Sequence, residues 1–359
     1  MKISDIKIQG LSIPLIKPFK TALRTVNVLE TNIIEIITDS GEIGYGEASP
    51  TAVITGDTKG SIITAIEDYI FPAIKGMDIE NLENIMMKIE HSMIKNSSSK
   101  AAVDMAIYDL FGKCFKIPLY RLFGGARKEF TTDITVSVND PETMAMDAIE
   151  YINQGYDTLK IKIGKDSNID LQRVSAVRKA VGAETKIRVD ANQGWGAKEA
   201  VKVIRKMQDL GLDLELVEQP VPYYDLEGLK YVTDNTDIPI MADEALFSAR
   251  DAMSILKNRA ADILNIKLMK TGGFYNAQKI YSMAEACGVE CMIGSMMESK
   301  VGITAAAHFA AGKTNINKAD LDASSLLAKD PVDGGVQILG NRLVLKDGYG
   351  LGINKIDYK

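Results

Sequence analysis

The feature that most constrains this chain is a beat of short apolar segments that starts near Thr131 and recurs roughly every 25 residues. The segments are Asp133–Val138, Thr158–Gly164, Lys186–Asn192, Leu214–Pro220, Pro239–Glu244, Ile263–Met269 and Glu290–Met296. Between them lie stretches with apolar residues at helical spacing, among them Pro141–Asn153, Leu171–Val181, Ala197–Leu210 and Phe274–Ala286. Strands that alternate with helices must run parallel, because only a long crossover joins parallel neighbours. Seven or eight such units predict a closed β/α barrel rather than an open sheet. An eighth strand is expected near Ala319–Ala323, where the pattern is weaker.

The first stretch, to about residue 125, has another texture. Strand-like segments at Ile3–Ile13, Thr31–Thr38 and Glu42–Glu47 are separated by Pro- and Gly-marked turns, and helical patterns follow at Gly60–Ile74 and Asn81–Met93. Ser97-Ser98-Ser99 offers an N-cap to a further run, Ala101–Phe115. This order predicts an α+β unit. After about Leu326, Gly334-Gly335, Gly340-Asn341 and Gly348–Gly352 predict a hairpin and an extended tail that returns to the first unit.

Composition excludes several classes. A net charge of −6 gives no basic footprint for nucleic acid. No apolar run approaches a membrane span, and the alternation from Lys2 to Ile8 reads as a strand rather than a signal peptide. Cys114, Cys287 and Cys291 form no CxxC pair, which suits a reduced, cytoplasmic protein. There is no G-x-S-x-G, P-loop or GxGxxG, and His91 and His308 fall in helical patterns, where packing or solvation explains them.

The chemistry lies at the strand ends. Lys160 and Lys162 share one face of their strand, while Leu159, Ile161 and Ile163 form an apolar row on the other. Helices cover the outside of a barrel, so the lysines are expected to point inward. The next three strands end in Asp190, Glu218 and Asp243-Glu244. Carboxylates gathered this way repel unless a cation joins them, and an all-oxygen set suits Mg²⁺. For any one acid, the competing explanation is an N-cap for the next helix. Lys267 ends the strand across the barrel from Lys160 and Lys162, so a lysine flanks the acids on either side. One amine could take a proton from one face of a carbon and the other return it to the opposite face. Both lysines then need pKa values below the ordinary range.

These residues resemble the enolase superfamily in its muconate-lactonizing-enzyme subgroup, through Lys160-x-Lys162, Asp190-x-Asn192, Glu218-Gln219-Pro220, Asp243-Glu244 and Lys267 followed by Gly272-Gly273. Lysine bases acting on Mg²⁺-stabilised enolates are that superfamily's established chemistry, and the resemblance implies it here. The resemblance also implies an α+β capping domain over 1–125, a (β/α)₇β modified TIM barrel over 126–324, and a segment, 325–359, that returns to the cap. It implies Asp190, Glu218 and Asp243 as Mg²⁺ ligands, Lys162 and Lys267 as the acid/base pair, and Lys160 as a cation for the substrate carboxylate. If Asp320-Leu321-Asp322 forms the eighth strand, both acids face inward and call for a cation such as an α-ammonium. That pair resembles the Asp-x-Asp of dipeptide epimerases. Its competing explanation is a solvated acidic loop.

Specificity is expected from two cap loops, Lys17–Val26 and Ser49–Thr58. Arg24 resembles the arginine that meets the side-chain carboxylate in L-Ala-D/L-Glu epimerases, although an ordinary surface arginine fits the sequence equally well. Ser295, Met297, Glu298, Thr135 and Ser137 are further candidates for the pocket, and an inward Glu298 would disfavour a second acidic group. The expected function is Mg²⁺-dependent 1,1-proton transfer, through an enediolate, at the α-carbon of a dipeptide's C-terminal residue. L-Ala-D/L-Glu is one expected substrate, and cell-wall peptide degradation in the cytoplasm its context. The alternatives are an epimerase of apolar or other dipeptides, a cycloisomerase or o-succinylbenzoate-synthase-like enzyme, and, least supported, a barrel that only binds. A homo-oligomer is expected, with neither nucleic acid nor membrane as partner.

Overall fold

The computed structural model describes residues 1–164 and 166–358. Three antiparallel strands come first: β1 (Ile3–Lys20), β2 (Thr25–Thr38) and β3 (Ile43–Ala48). Strands β1 and β2 run well past the expected ends, and Phe19 pairs with Val26. Lys17–Val26 is therefore the tip of a hairpin, not a free loop. Pro14 and Pro18 interrupt the alternation in the sequence, and a register shift between Pro14 and Phe19 absorbs them. Ile34 and Ile36 pack against Ile62, Ile66, Ile70 and Ile74, closing a separate small core. The helix Ser97–Cys114 lies on this sheet. It begins earlier than expected. Its N-cap is Asn96, at φ 52°, while Ser98 and Ser99 are buried inside it.

After β4 (Glu129–Thr131) comes the barrel of eight parallel strands. They are β5 (Ile134–Val136), β6 (Thr158–Lys162), β7 (Lys186–Asp190), β8 (Leu214–Glu218), β9 (Ile240–Ala242), β10 (Ile263–Lys267), β11 (Glu290–Gly294) and β12 (Ile316–Asp320). Each neighbours the next in chain order. The ends meet through Asp133 N–H donating to Ala319 O (3.2 Å) and Leu321 N–H donating to Thr132 Oγ1 (2.8 Å). Helices follow each of the first seven strands, and Asp140, Asp166, Asp225, Ser248 and Ser299 cap five of them with their side chains. After β12 only a 3₁₀ turn, Ala323–Leu326, follows. The fold is a (β/α)₇β barrel with an antiparallel cap.

The strands stop about two residues short of the expected apolar segments. The backbone explains this at three of them. Gly164, Asn192 and Gln219 take φ values of 102°, 42° and 36°, which end the ladder just after the charged residues. The eighth strand ends at Asp320, so Asp322 lies in the following turn rather than in the strand.

The C-terminal stretch forms β13 (Val332–Gly334), β14 (Gln337–Leu339), β15 (Arg342–Val344) and β16 (Ile353–Ile356). The β14–β15 hairpin adds to β4, and β13 pairs with β16. Bonds tie the tail to the N-terminal sheet and its helix, among them Ala328 N–H to Pro14 O (2.9 Å), Leu351 N–H to Asp109 Oδ1 (2.7 Å) and Tyr358 O–H to Glu35 Oε1 (2.6 Å). His308 is packed, accepting from Tyr120 N–H at 3.0 Å, whereas His91 is exposed. No helix among the described residues is long and apolar enough to cross a membrane.

Candidate active site

Alternation along each strand sorts the barrel interior into layers. The lower layer holds Leu216, Met241, Ile263 and Met292, which form one buried cluster, and beside Leu216 on the next strand Arg188 pairs with Asp133 (2.8 Å) and Glu215 (2.5 Å). Two residues further on, β7, β8, β9 and β10 lead to Asp190, Glu218, Asp243 and Asn265, while β11 reaches Gly294. Lys162 lies level with Asp190, and Asp190 level with Glu218, in the ladder register. Leu159, Ile161 and Ile163 face the helices and are fully buried. The lysines therefore point inward, as their apolar neighbours predict.

Asp190, Glu218 and Asp243 offer carboxylate oxygens that all lie within 4.8 Å of one another. Lys162 Nζ reaches Asp190 Oδ2 at 2.5 Å from one side, and Lys267 Nζ reaches Asp243 Oδ2 at 2.7 Å from the other. Gly294 makes room for the second lysine: a Cβ there would lie 2.9 Å from Lys267 Cε. Lys160 is buried beneath, 2.6 Å from Glu218 Oε2, 2.7 Å from Asp320 Oδ2 and 3.2 Å from Asp190 Oδ2. Lys270, which no motif in the sequence marks, contacts the Asp243 carboxylate and main-chain carbonyl. Its only signal is a charge three residues after Lys267 in an apolar run.

Burial and mutual charge pull these groups in different directions. Burial disfavours the ionised Asp243, but Lys267 and Lys270 outweigh it and hold its pKa well below the ordinary range. Burial, with Asp190 and Asp243 beside it, raises Glu218 to about 7, and burial with the same two neighbours raises Glu244 to about 8. For Lys267, burial opposes the charge, yet Asp243 prevails and the pKa lies above the ordinary value. This is the reverse of the depressed pKa expected from the sequence. Protein groups alone leave the acids' negative charge in place beside the amine.

A divalent cation at the three carboxylates fits what surrounds them. Among the described residues, buried Glu244 Oε2, Asn192 Oδ1 and Asn265 Oδ1 lack donors, and Glu218 Oε2 meets only the Lys160 ammonium. An oxygen-only donor set with spare acceptors suits Mg²⁺ and its waters. Gln219 braces the site, accepting from Asp243 N–H (2.9 Å) and Ala245 N–H (3.1 Å) with its side-chain oxygen.

Lys162, Asp243 and Lys267 open into one pocket with Thr135, Ser295, Met297, Asp320 and Asp322. Asp320 and Asp322 are 6% and 5% exposed, so they are not a solvated acidic loop. Asp322 Oδ2 accepts from Thr135 N–H at 2.7 Å. From the cap come Arg24 with Phe19, Leu23 and Ile54, three apolar residues that nothing in the sequence pattern singles out. Arg24 is half-buried, and burial lowers its pKa with no carboxylate offsetting it.

Three expectations change. Glu298 does not line the pocket; its Oε1 accepts from Met296 N–H at 2.7 Å, and burial together with Glu47 raises its pKa to about 8. The objection it raised to an acidic substrate side chain falls away. Ser137 is also outside the pocket, its hydroxyl accepting from Lys20 N–H. Lys160 does not itself line the pocket; it lies beneath, against Glu218 and the wall residue Asp320.

Fold and site together define a barrel enzyme with a carboxylate triad between two lysines. Residues 5–124 match the mandelate racemase/muconate lactonizing enzyme N-terminal domain, and residues 143–357 match the enolase C-terminal domain-like family. The chain belongs to this family. It is 51% identical to the L-Ala-D/L-Glu epimerase of Clostridium acetobutylicum over 99% of this chain and 100% of that one. It superposes at a TM-score of 0.99 on a substrate-liganded complex of the L-Ala-D/L-Glu epimerase from Bacillus subtilis, 53% identical, covering 99% of this chain and 100% of the other. The dipeptide epimerase from Enterococcus faecalis, complexed with Mg and L-Leu-L-Tyr, gives a TM-score of 0.96 at 44% identity, covering 99% and 100%.

Proposed function

We propose that this chain is a Mg²⁺-dependent dipeptide epimerase that inverts the α-carbon of the C-terminal residue, with L-Ala-L-Glu and L-Ala-D-Glu as its pair. The observation that carries this reading is the opposition of Lys162 and Lys267 across the Asp190–Glu218–Asp243 triad, with Asp320 and Asp322 on the same pocket. Asp190, Glu218 and Asp243 would hold the ion, which when bound supplies positive charge beside the substrate carboxylate and so acidifies the α-proton.

The remaining work falls to the chain's own groups. One lysine amine takes the α-proton, and the ammonium on the other side delivers a proton to the opposite face. Microscopic reversibility exchanges their roles for the other epimer. Each must start in a different protonation state; Asp190 and Asp243 favour the ammonium form beside them, so freeing one amine needs the positive charge of an ion held by the triad. Lys160 adds positive charge from below, where charge develops on the substrate carboxylate. Asp320 and Asp322 take the α-ammonium, which fixes which residue of the dipeptide reaches the lysines. Arg24 supplies a guanidinium with no acid partner among the described residues, suited to a side-chain carboxylate. Thr135, Ser295 and Met297 complete the wall.

Residues 1–125 are read as the cap, 126–324 as the barrel, and 325–359 as the segment tying them, supported by the tail's bonds to Asp109 and Glu35. A cytoplasmic site of action, a role in degrading cell-wall peptides and assembly into a homo-oligomer belong to the same proposal. A second reading, apolar dipeptides as substrates, is favoured by Phe19, Leu23, Ile54 and Met297 around the pocket.

Proton NMR in D₂O with Mg²⁺ and a panel of L,L-dipeptides tests the proposal. The C-terminal residue's α-proton signal is expected to vanish as the L,D diastereomer appears, first for L-Ala-L-Glu. A ranking led by apolar dipeptides would favour the second reading. No exchange with any dipeptide would sink both and leave a cycloisomerase or o-succinylbenzoate-synthase-like reaction on the same triad.

A further inference from the structure

The loop after β11, which brings Ser295, Met296 and Met297 to the pocket, is held by the cap rather than by the barrel alone. Glu47, on β3, is fully buried. Its Oε1 accepts from Ser299 N–H at 2.8 Å, and its Oε2 accepts from Ser299 O–H at 2.7 Å and Gly302 N–H at 2.8 Å. These donors open the helix Lys300–Gly312, so a cap carboxylate sits at the positive end of a barrel helix. Two residues along, Ser49 donates its hydroxyl to Met297 O at 2.7 Å. Glu298 turns its own carboxyl back to Met296 N–H, and Ser295 N–H donates to Asp320 O at 3.1 Å. The loop's main chain is thus pinned at both ends and in the middle. The packing around Gly302 is close: a Cβ there would lie 2.1 Å from Glu298 Oε2 and 3.1 Å from Glu47 Oε2, so the Glu298 carboxyl would have to move.

We infer that Glu47, assisted by Ser49, is a positioning residue of the reaction: from the cap, it sets the loop that presents Ser295 and Met297 to the substrate. The inference rests on the epimerase reading for its kinetic consequence, but not for its structural one. Four hydrogen bonds from one short cap segment, three of them to an anion, fix a barrel loop that the barrel's own ladder leaves after Gly294. The cap therefore contributes more than the lid residues Arg24, Leu23 and Ile54. Its registration on the barrel and the shape of the pocket wall become a single variable. Each Glu47 oxygen accepts from a main-chain N–H, so the amide of a glutamine in its place would set a donor against a donor on one side.

The test compares wild type with Glu47→Gln, Glu47→Asp and Ser49→Ala, by hydrogen exchange of peptides spanning 295–302 and by kinetics on L-Ala-L-Glu. Glu47→Gln is expected to speed exchange of those amides about tenfold, and to raise KM about tenfold with kcat within about threefold, the scale of one lost charge-assisted bond. Glu47→Asp is expected to restore part of both, and Mg²⁺ affinity measured by calorimetry to stay within about twofold. Folded Glu47→Gln protein with wild-type exchange and KM would overturn the inference. So would parallel loss of KM and Mg²⁺ affinity, which would mark a general disturbance of the barrel. If Glu47→Gln does not fold, Ser49→Ala decides, and an unchanged KM with it overturns the inference. Wild-type protein inactive on every dipeptide would instead remove the proposed function, and the exchange measurement alone would then rule on Glu47.

Discussion

Replacing Asp322 with Asn probes the feature that separates a dipeptide substrate from other carboxylates. Asp322 is buried, and its Oδ2 accepts from Thr135 N–H at 2.7 Å. Asn keeps an oxygen for that bond, so the loop's geometry is preserved and only the charge facing the ammonium is lost. A hydrogen bond to a charged group contributes about 1.5–3 kcal/mol. The expected loss in kcat/KM is therefore roughly 10- to 150-fold for free-amine dipeptides. For an N-acetylated dipeptide, which has no ammonium, the variant is expected to equal or exceed wild type. The pH dependence has a definite sign. Burial and the charge of Asp320 raise Asp322 to about 6, so its protonation weakens the ammonium site and wild-type kcat/KM falls as pH drops through that value. In Asp322→Asn this dependence disappears. The assay is initial-rate α-proton exchange in D₂O over a substrate series and a pH series. Wild-type kinetics for Asp322→Asn on free-amine dipeptides would refute the ammonium assignment.

Two further outcomes follow from other parts of the molecule. Arg24→Met is expected to lower kcat/KM for L-Ala-L-Glu by about 10- to 100-fold while leaving apolar dipeptides equal or better, because one charged contact is lost and apolar surface gained; equal losses on both would argue that Arg24 only shapes the hairpin tip. His308 is buried and accepts from Tyr120 N–H, and burial lowers its pKa from 6.5 to about 4. The unfolded chain therefore binds the extra proton first as pH falls. The stability contribution is complete above about 6.5 and drains away by about pH 4, amounting to about 3 kcal/mol. Urea unfolding across that window checks this, and a flat profile would contradict the neutral, buried imidazole.

The barrel is legible because its strands carry a period that few other folds share, and because charges recur at the C-terminal ends of successive apolar strands. Lys160, Lys162, Asp190, Glu218, Asp243 and Lys267 are visible for that reason: each is an inward position that ought to be apolar. What the sequence hides depends on the third dimension. Lys270 reaches Asp243 through a single helical turn after β10, which periodicity alone does not place. The β1–β2 hairpin tip looks like a loop because prolines mask its register. Glu298 suggests a pocket residue by proximity in the chain, but its carboxyl folds back onto Met296 N–H. Gly294 gives no signal, since its value is the side chain it lacks beside Lys267. The direction of the Lys267 shift is also illegible, because it depends on whether acids or a cation dominate its surroundings.

The central claim is that two lysines act on opposite faces of one carbon, and single-lysine variants test it most directly. Lys162→Ala and Lys267→Ala, each with Mg²⁺ in D₂O, are incubated separately with the L,L and L,D forms of the best dipeptide. The account predicts that neither variant interconverts the epimers. It also predicts that each still exchanges the α-proton of one epimer only, and that the two variants choose opposite epimers. Epimerisation by either variant, or exchange of the same epimer by both, would contradict the two-base assignment.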